Sequence, residues 1–531
     1  MEDDGSGISD VNAQLGPLDG AVRRRLQQLD EARIVRRIWA RDPTVWKPDP
    51  RTPEIADRLG WLAVADEIRN RVDELVRFAD ETRRRFDRVV LCGMGGSSLA
   101  PEVLWRTFGR RRGFPTLTVL DTTEPGTIQA VGASGVPTTL FLVSSKSGTT
   151  QETSSLFSYF WQATGGTGAQ FVAITDPGTP LARLAVERGF LRAFLNPEDI
   201  GGRYAALSYV GLVPAALIGA KVAALLDAGS KMAAACRADV AADNPGARLG
   251  AALGESALAG RDKLMLLLSP AVASMGLWVE QLVAESTGKE GKGLLPVVEE
   301  SPGGSEAYGP DRLLVAVRLA DERRGVAGGK ALDRLRRAGH PVIEIELPDR
   351  VALAAEFFRW EFATAVACAI LGVNAFDQPN VAESKANTKR LLAEGVSRSP
   401  AATRQQLAWL LAGVRPGDYL AVLAYVPPSA ANDRRLAKVA HDLAAQTRAA
   451  VTVGYGPRYL HSTGQLHKGG PAKGHFLVVA GEPAIGLSVP EESFDFGTLF
   501  VAQAEGDVGA LTRRGRPVVR VDALDQLEGA V

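Results

Sequence analysis

The sequence predicts an α/β protein of more than one domain, built on mainly parallel sheets with helices on both faces. Three observations predict it. At 531 residues the chain is too long for one ordinary core, so two or three domains are expected. Short, apolar, β-rich runs recur along it and read as buried strands. The segments between them are long enough for crossover helices, which makes the strands parallel.

In chain order, the first ~15 residues are polar and predict disorder. Residues 18–40 read as a charged amphipathic helix, with Val22, Leu26, Leu29, Ile34 and Ile38 near helical spacing. RVVLCG (88–93), TLTVLD (116–121), TLFLVSS (139–145) and QFVAITD (170–176) are the first strands. An Ala/Leu-rich helical stretch, 205–235, leads to a second series: KLMLLLS (263–269), LLVAVRL (313–319) and PVIEIEL (341–347). Residues 351–373 read as a long, mostly buried helix. DYLAVLAYV (418–426), AVTVGYG (450–456), HFLVVAG (475–481) and PVVRVDA (517–523) close the chain. The expected division is a helical arm to residue 50, domains over 51–240 and 241–415, and a C-terminal α/β portion over 416–531. Asp262–Ala320 and Asp418–Gly481 both run strand, helix, Gly-rich loop, strand, which suggests a partial internal repeat.

Hydrophobic content of 46% and charged content of 23% are ordinary for a globular protein. Lys+Arg and Asp+Glu both number 61, so the net charge of zero argues against a nucleic-acid surface, and any anion site must be local. Three scattered cysteines without CxxC fit a reducing compartment and argue against a disulfide framework or structural zinc. No secretory signal or membrane span is visible, so a cytoplasmic location is expected.

Two strand ends run into loops suited to a phosphate. VVLCGMGGSSLAPEV sets Gly93, Gly95, Gly96, Ser97 and Ser98 between a strand and a helix. FLVSSKSGTTQET does the same with Ser144, Ser145, Lys146, Ser147, Thr149 and Thr150. At the carboxyl ends of parallel strands such loops offer N–H groups, hydroxyls and a helix N-terminus to an anion. A dinucleotide fingerprint fails because Ser98 stands where GxGxxG needs glycine, and no Walker A loop precedes either helix. A tight turn that uses glycine only for its conformational freedom is the plainer alternative.

EDIGGRYAALSYVGL (198–212) presents Arg203 after a glycine pair. In EQLVAESTGKEGKG (280–293), Gln281 and Glu285 are four apart and share one helix face near its C-terminus. A carboxylate is electrostatically disfavoured there, and such local inconsistencies tend to mark sites. NAFDQPNVAESKANTK (374–389) places Gln378 and Lys385 seven apart across a loop-to-helix junction. Each of these, taken alone, is also readable as a solvated or structural side chain.

Together the segments resemble the glucose-6-phosphate isomerase family. GMGGSSLAPEV is similar to its GxGGS loop, SSKSGTTQET to its phosphate loop, and IGGRYAALSYVGL to its GGR signature. EQLVAESTGK and FDQPNVAESK resemble the segments that carry its glutamate and its lysine. The resemblance covers roughly residues 90–390 in the family's order. RIWARDPTVWKPDP (37–50) and LHSTGQLHKGGP (460–471) look most like the isomerase half of transaldolase–isomerase fusion proteins.

The resemblance implies two sugar-isomerase type three-layer αβα domains plus a C-terminal α/β extension. It implies an aldose–ketose exchange between glucose 6-phosphate and fructose 6-phosphate through a cis-enediol, with no metal or cofactor. Ser145, Lys146, Ser147 and Thr150 would bind the phosphate, and Gly95, Gly96 and Ser97 would line the sugar. Arg203 would steady the enediolate, Gln281 and Gln378 would bond substrate, Glu285 would move the proton and Lys385 would assist ring opening. The family is commonly dimeric, and the fusion resemblance raises a transaldolase as a partner. A sugar-phosphate sensor without catalysis, and an isomerase that also takes mannose 6-phosphate, are the alternatives.

The family's ring-opening histidine normally lies between its glutamate and lysine segments. Here only His340 does, directly before a strand and outside any matching loop. LHSTGQ comes later, so the expectation is that His461 folds back into the pocket. His467, a Gly-rich surface turn and a metal site remain the other readings of that segment.

Overall fold

The computed structural model describes residues 10–298, 308–322 and 330–529. Among the described residues three sheets organise the chain. In the first, β2 (Arg88–Cys92), β3 (Thr116–Leu120), β4 (Thr139–Ser144), β5 (Phe171–Thr175) and β6 (Arg192–Leu195) lie in the order β3-β2-β4-β5-β6. All neighbours are parallel, with Cys92 opposite both Leu120 and Val143. Every residue of β4 is buried, as expected for a central strand with helices on both faces.

The second sheet is β1-β10-β9-β7-β8, from β1 (Asp10–Gln14), β7 (Lys263–Leu268), β8 (Leu295–Val298), β9 (Arg312–Leu319) and β10 (Val342–Leu347). It is parallel except for β1, which pairs antiparallel with β10, Asn12 opposite Glu344. The third is β12-β11-β13-β14, from β11 (Tyr419–Tyr425), β12 (Ala450–Tyr455), β13 (Gly474–Ala480) and β14 (Val518–Val521), parallel throughout.

With β1 set aside, all three sheets begin with the same winding: second strand, first, third, fourth. The suggested repeat thus has a topological counterpart, but one that the first sheet shares. Part of its first copy lies outside the described residues. The third sheet is no loose appendage: Met265, Leu267 and Leu314 of the second sheet share one buried cluster with Ala421, Leu423 and Phe476 of the third.

Each strand expected from the sequence is present. Three short ones were not expected: β1, β6 and β8. β1 falls where disorder was expected, and the nine residues before it lie outside the described residues. Its Val11 and Ala13 give too short an alternation to register, and the strand exists because β10 offers an unpaired edge. The N-terminal helix breaks into Asp19–Glu31 and Ile34–Trp39 at Arg33, which has φ +52°. The 205–235 stretch likewise splits into Tyr209–Leu217 and Val222–Ala235 around Gly219, at φ +83°. The long buried helix spans Leu353–Leu371. Apolar nearly all round, it must be covered on every side, and it is closed by left-handed Gly372 at φ +69°. Among the described residues no helix is long and apolar enough to cross a membrane.

Candidate active site

The winding of the first sheet reverses direction between β2 and β4, and a crevice forms there at the strands' carboxyl ends. The Gly95–Ser97 turn leaves β2 at that point, before helix Leu99–Phe108. Gly95 has φ +54°, and a Cβ on it would lie 2.8 Å from the His461 carbonyl oxygen and 2.9 Å from Gln281 Nε2. A Cβ on Gly96 would lie 2.2 Å from the Gly202 carbonyl carbon. These glycines therefore serve close approach: the turn is pressed against both the Arg203 turn and the His461 loop.

The second loop follows β4. Its hydroxyls bond one another, Ser145 Oγ with Thr150 Oγ1 at 3.1 Å and Ser147 Oγ with Thr149 Oγ1 at 2.9 Å. Gly148 N–H donates to Ser145 Oγ at 3.1 Å. Thr150 then starts helix Gln151–Ala163. Lys146 forms an ion pair with Asp176 and donates to the Glu198 carbonyl at 2.7 Å. Its charge is thus held by the end of β5, and a bound phosphate would have to compete with Asp176 for it.

Glu285 sits near the end of helix Met275–Thr287 and is 2% exposed. What offsets a buried carboxylate at a helix C-terminus is Arg203, whose Nη1 lies 3.6 Å from Glu285 Oε2. The rest of that guanidinium is engaged. Nε donates to Ser286 Oγ at 2.8 Å, and Nη2 to the carbonyls of Ala375 at 2.7 Å and Asp377 at 3.0 Å. One turn before Glu285, Gln281 Nε2 donates to Glu285 Oε2 at 3.0 Å and to the His461 carbonyl at 2.8 Å. Gln281 Oε1 is buried, with no hydrogen-bond partner among the described residues.

His461 comes from the third sheet. The chain leaves β12 and enters a short turn, Arg458–His461, that reaches across to the first sheet. Arg458 grips Asp121, just past β3, at 2.7 Å through Nε and 2.8 Å through Nη2. His461 Nε2 then lies 3.0 Å from Glu152 Oε1, in the first turn of helix Gln151–Ala163. Burial pushes the Glu152 carboxyl up, but the charge and hydrogen bond of His461, together with Lys385, hold it below the usual carboxylate range.

His467 stands elsewhere. It is 1% exposed, its Nδ1 lies 3.0 Å from the Tyr419 hydroxyl, and it packs on Phe476. Burial, with Lys468 and Arg516 near, pushes its pKa well down, so it is a neutral core histidine. The two histidines of LHSTGQLHKGGP therefore face different partners, and neither is on a surface turn.

Gln378 caps helix Pro379–Glu394, which carries Lys385. Both are exposed and line a cavity of about 390 Å³ with Thr52, Pro53, Glu54 and Asp377. Among the described residues neither side chain has a hydrogen-bond partner. They reach the Glu285 cluster through the 374–377 turn, which Arg203 and a second buried cation hold. That cation is Lys289, which pairs with Asp377 at 2.6 Å and donates to the Asn374 carbonyl.

Burial and the charge of Arg203 push Lys289 down to about 8, against the pull of Asp377. Between roughly pH 8 and 10.5 the unfolded chain keeps a proton that the folded chain has released. Stability therefore rises with pH through that window. Lys289→Met removes this contribution. Wild type is expected to gain on the order of 3 kcal/mol over the variant between pH 7 and 10.5 in denaturant unfolding. Parallel pH curves for the two proteins would refute it.

Sequence reasoning assigned no role to Glu152, Arg458, Asp121 or Lys289. Glu152 lies inside the quoted SSKSGTTQET segment, and its place two residues after the loop's last threonine was the one available signal. Asp121 and Arg458 are 337 residues apart, and nothing local in either segment points to the other.

Comparison with known proteins bears on this geometry. The family model described as phosphoglucose isomerase matches residues 61–299. A glucose-6-phosphate isomerase of Rubrobacter xylanophilus is 32% identical over 348 residues, which cover 55% of this chain and 79% of that one. The chain belongs to the phosphoglucose isomerase family. The Trichormus variabilis glucose-6-phosphate isomerase is also 32% identical, over 281 residues, 49% of this chain. The chain spans about half the length of that relative, 50%.

Among solved structures, a hypothetical protein from Thermus thermophilus superposes with a TM-score of 0.61 at 26% identity, covering 72% of this chain and all, 100%, of that one. A Chlamydia trachomatis glucose-6-phosphate isomerase superposes with a TM-score of 0.60 at 17% identity, covering 73% and 89%, and shares the fold. The phosphoglucose isomerase match of residues 61–299 includes Glu285, Gln281, Arg203 and both loops of the first sheet. It ends before Lys385 and His461.

Proposed function

We propose that this phosphoglucose isomerase family member interconverts glucose 6-phosphate and fructose 6-phosphate by proton transfer through a cis-enediol. The observation that carries this is the buried Glu285, with Arg203 and Gln281 on its carboxylate and His461 joined through Gln281 and Glu152. A binding module needs the anion loop; it does not need a desolvated carboxylate beside a guanidinium.

The sugar phosphate binds with its phosphate on residues 145–150, at the N-terminus of helix Gln151–Ala163. That remote dianion supplies binding energy for positioning. His461, with Lys385 nearby, passes a proton to the ring oxygen as O1 loses one, and the ring opens. Glu285 takes the C2 proton, leaving the enediolate, whose charge Arg203 Nη1 meets. The same carboxyl returns the proton to C1 while the O2 proton moves to O1, which completes the exchange. No metal or redox group takes part in this sequence. The substrate is a free cytoplasmic metabolite in this reading, and a homodimer or a transaldolase complex is the partner state to look for.

The test is turnover of fructose 6-phosphate coupled to a glucose-6-phosphate dehydrogenase. Wild type should turn over, and His461→Ala should lose activity on cyclic substrate while retaining C2 proton exchange on the open-chain form. An inactive wild type that still binds sugar phosphate would leave a sensor as the reading.

A further inference from the structure

The His461–Glu152 pair does not end at Glu152. Glu152 Oε1 also accepts a hydrogen bond from Gln503 Nε2 at 2.8 Å, and Gln503 Oε1 accepts the Thr123 hydroxyl at 2.6 Å. The three are 6%, 3% and 0% exposed, so these bonds are shielded from bulk water. They come from separate elements. Thr123 follows β3, Glu152 belongs to helix Gln151–Ala163, and Gln503 lies within helix Phe496–Arg513, between β13 and β14.

The ionised Glu152 carboxylate only accepts, so the amide turns its nitrogen toward Glu152 and its oxygen toward the Thr123 hydroxyl, which donates to it. A buried amide left unpaired would be costly, and here both of its ends are used. Glu152 Oε1 then receives two donors, Gln503 and His461, an arrangement that favours the ionised carboxylate. The charged and titratable groups that act on Glu152 or feel its charge are His461, Lys385 on helix Pro379–Glu394, and Tyr425 of β11.

We propose that Gln503 is a positioning residue for the isomerisation: held by Thr123, it keeps Glu152 ionised and aimed at His461 Nε2, which fixes the imidazole's orientation and tautomer. The proposal rests on the isomerase reading. It gives the C-terminal portion of the chain a part in the chemistry beyond delivering the histidine. The third unit supplies His461 and also the group that orients the histidine's partner.

The experiment measures kcat against pH for the full chain and for Gln503→Met, Thr123→Val and Thr123→Ser, on cyclic and open-chain substrate. Gln503→Met should lower turnover of the cyclic sugar roughly tenfold or more, the worth of one hydrogen bond to a charged group. The acid limb of its profile should move to higher pH, because Glu152 loses a donor. Thr123→Val should shift the limb the same way by less, and Thr123→Ser should restore it. C2 proton exchange on open-chain substrate should stay at the wild-type rate.

A merely structural role would depress both substrate forms alike and leave the limb in place. If Gln503→Met does not fold, the ¹⁵N signature and titration of the His461 imidazole in Thr123→Val give a second readout, and an unmoved titration there overturns the proposal. An active wild type, an inactive Glu285→Gln and an unmoved acid limb in Gln503→Met remove this proposal alone. A wild type without turnover removes the isomerase reading and this proposal with it.

Discussion

Replacing Glu285 with glutamine is expected to lower kcat by ~10²–10⁴-fold and leave the fold intact. The substitution keeps the side chain's shape, so no cavity opens in a residue that is 2% exposed. Gln281 Nε2 can still donate to the oxygen at that position. The Arg203 guanidinium loses its carboxylate at 3.6 Å but keeps Ser286 and the carbonyls of Ala375 and Asp377. The loss therefore falls on proton transfer. Solvent-deuterium exchange at C2 should disappear along with turnover, while sugar phosphate still binds. A Glu285→Gln variant that exchanges the C2 proton at the wild-type rate would assign the base elsewhere.

Arg458→Met is expected to cost about 3–5 kcal/mol of stability and to uncouple His461 from the first sheet. Asp121 is 5% exposed and holds both bonds of the Arg458 fork, with Ser98 Oγ donating at 3.1 Å as well. Removing the guanidinium strands a buried carboxylate. Arg458→Lys should recover only part of the loss, because an ammonium cannot present two parallel donors. Pairing Arg458→Met with Asp121→Asn in a denaturant cycle separates the pair's coupling from the penalty of the stranded charge. The functional readout is turnover of cyclic substrate, which should fall further than open-chain exchange, because the clamp lies three residues before His461. Equal losses on both forms would mean that the clamp serves the fold without serving the histidine.

Much of the fold was legible because it depends on local patterns. Runs such as Thr139–Ser144, with four consecutive apolar residues at its centre, read as central strands, and every residue of this one is buried. The strands that escaped notice are four or five residues long and exist through their neighbours. β1 is ordered by the open edge of β10, and its own alternation is too brief to predict that. Helix breaks at Arg33 and Gly219 escaped for a related reason: a left-handed residue interrupts the hydrogen bonding without disturbing the apolar spacing.

The candidate site divides along the same line. Glu285 and Gln281 share one helix, and their spacing alone puts both side chains on one face. The Gly95–Ser97 and Ser145–Thr150 turns are set by their own residues and by the strands that feed them. What the sequence by itself determined is therefore the set of local parts: the strand–helix alternation, the two Gly/Ser/Thr-rich loops, and the carboxylate with its glutamine.

Tertiary structure alone decided how those parts meet. It brought His461 to Glu152 across 309 positions of sequence and Gln503 to the same carboxylate across 351. It buried His467 as a neutral core residue although its surrounding sequence closely echoes that of His461. It paired Lys146 with Asp176 and divided Arg203 among Glu285, Ser286 and the 374–377 turn. The reason is physical: a buried charge or amide takes whichever partner the packed elements leave within about 3 Å, and that choice is made by how three sheets dock, which no local pattern encodes.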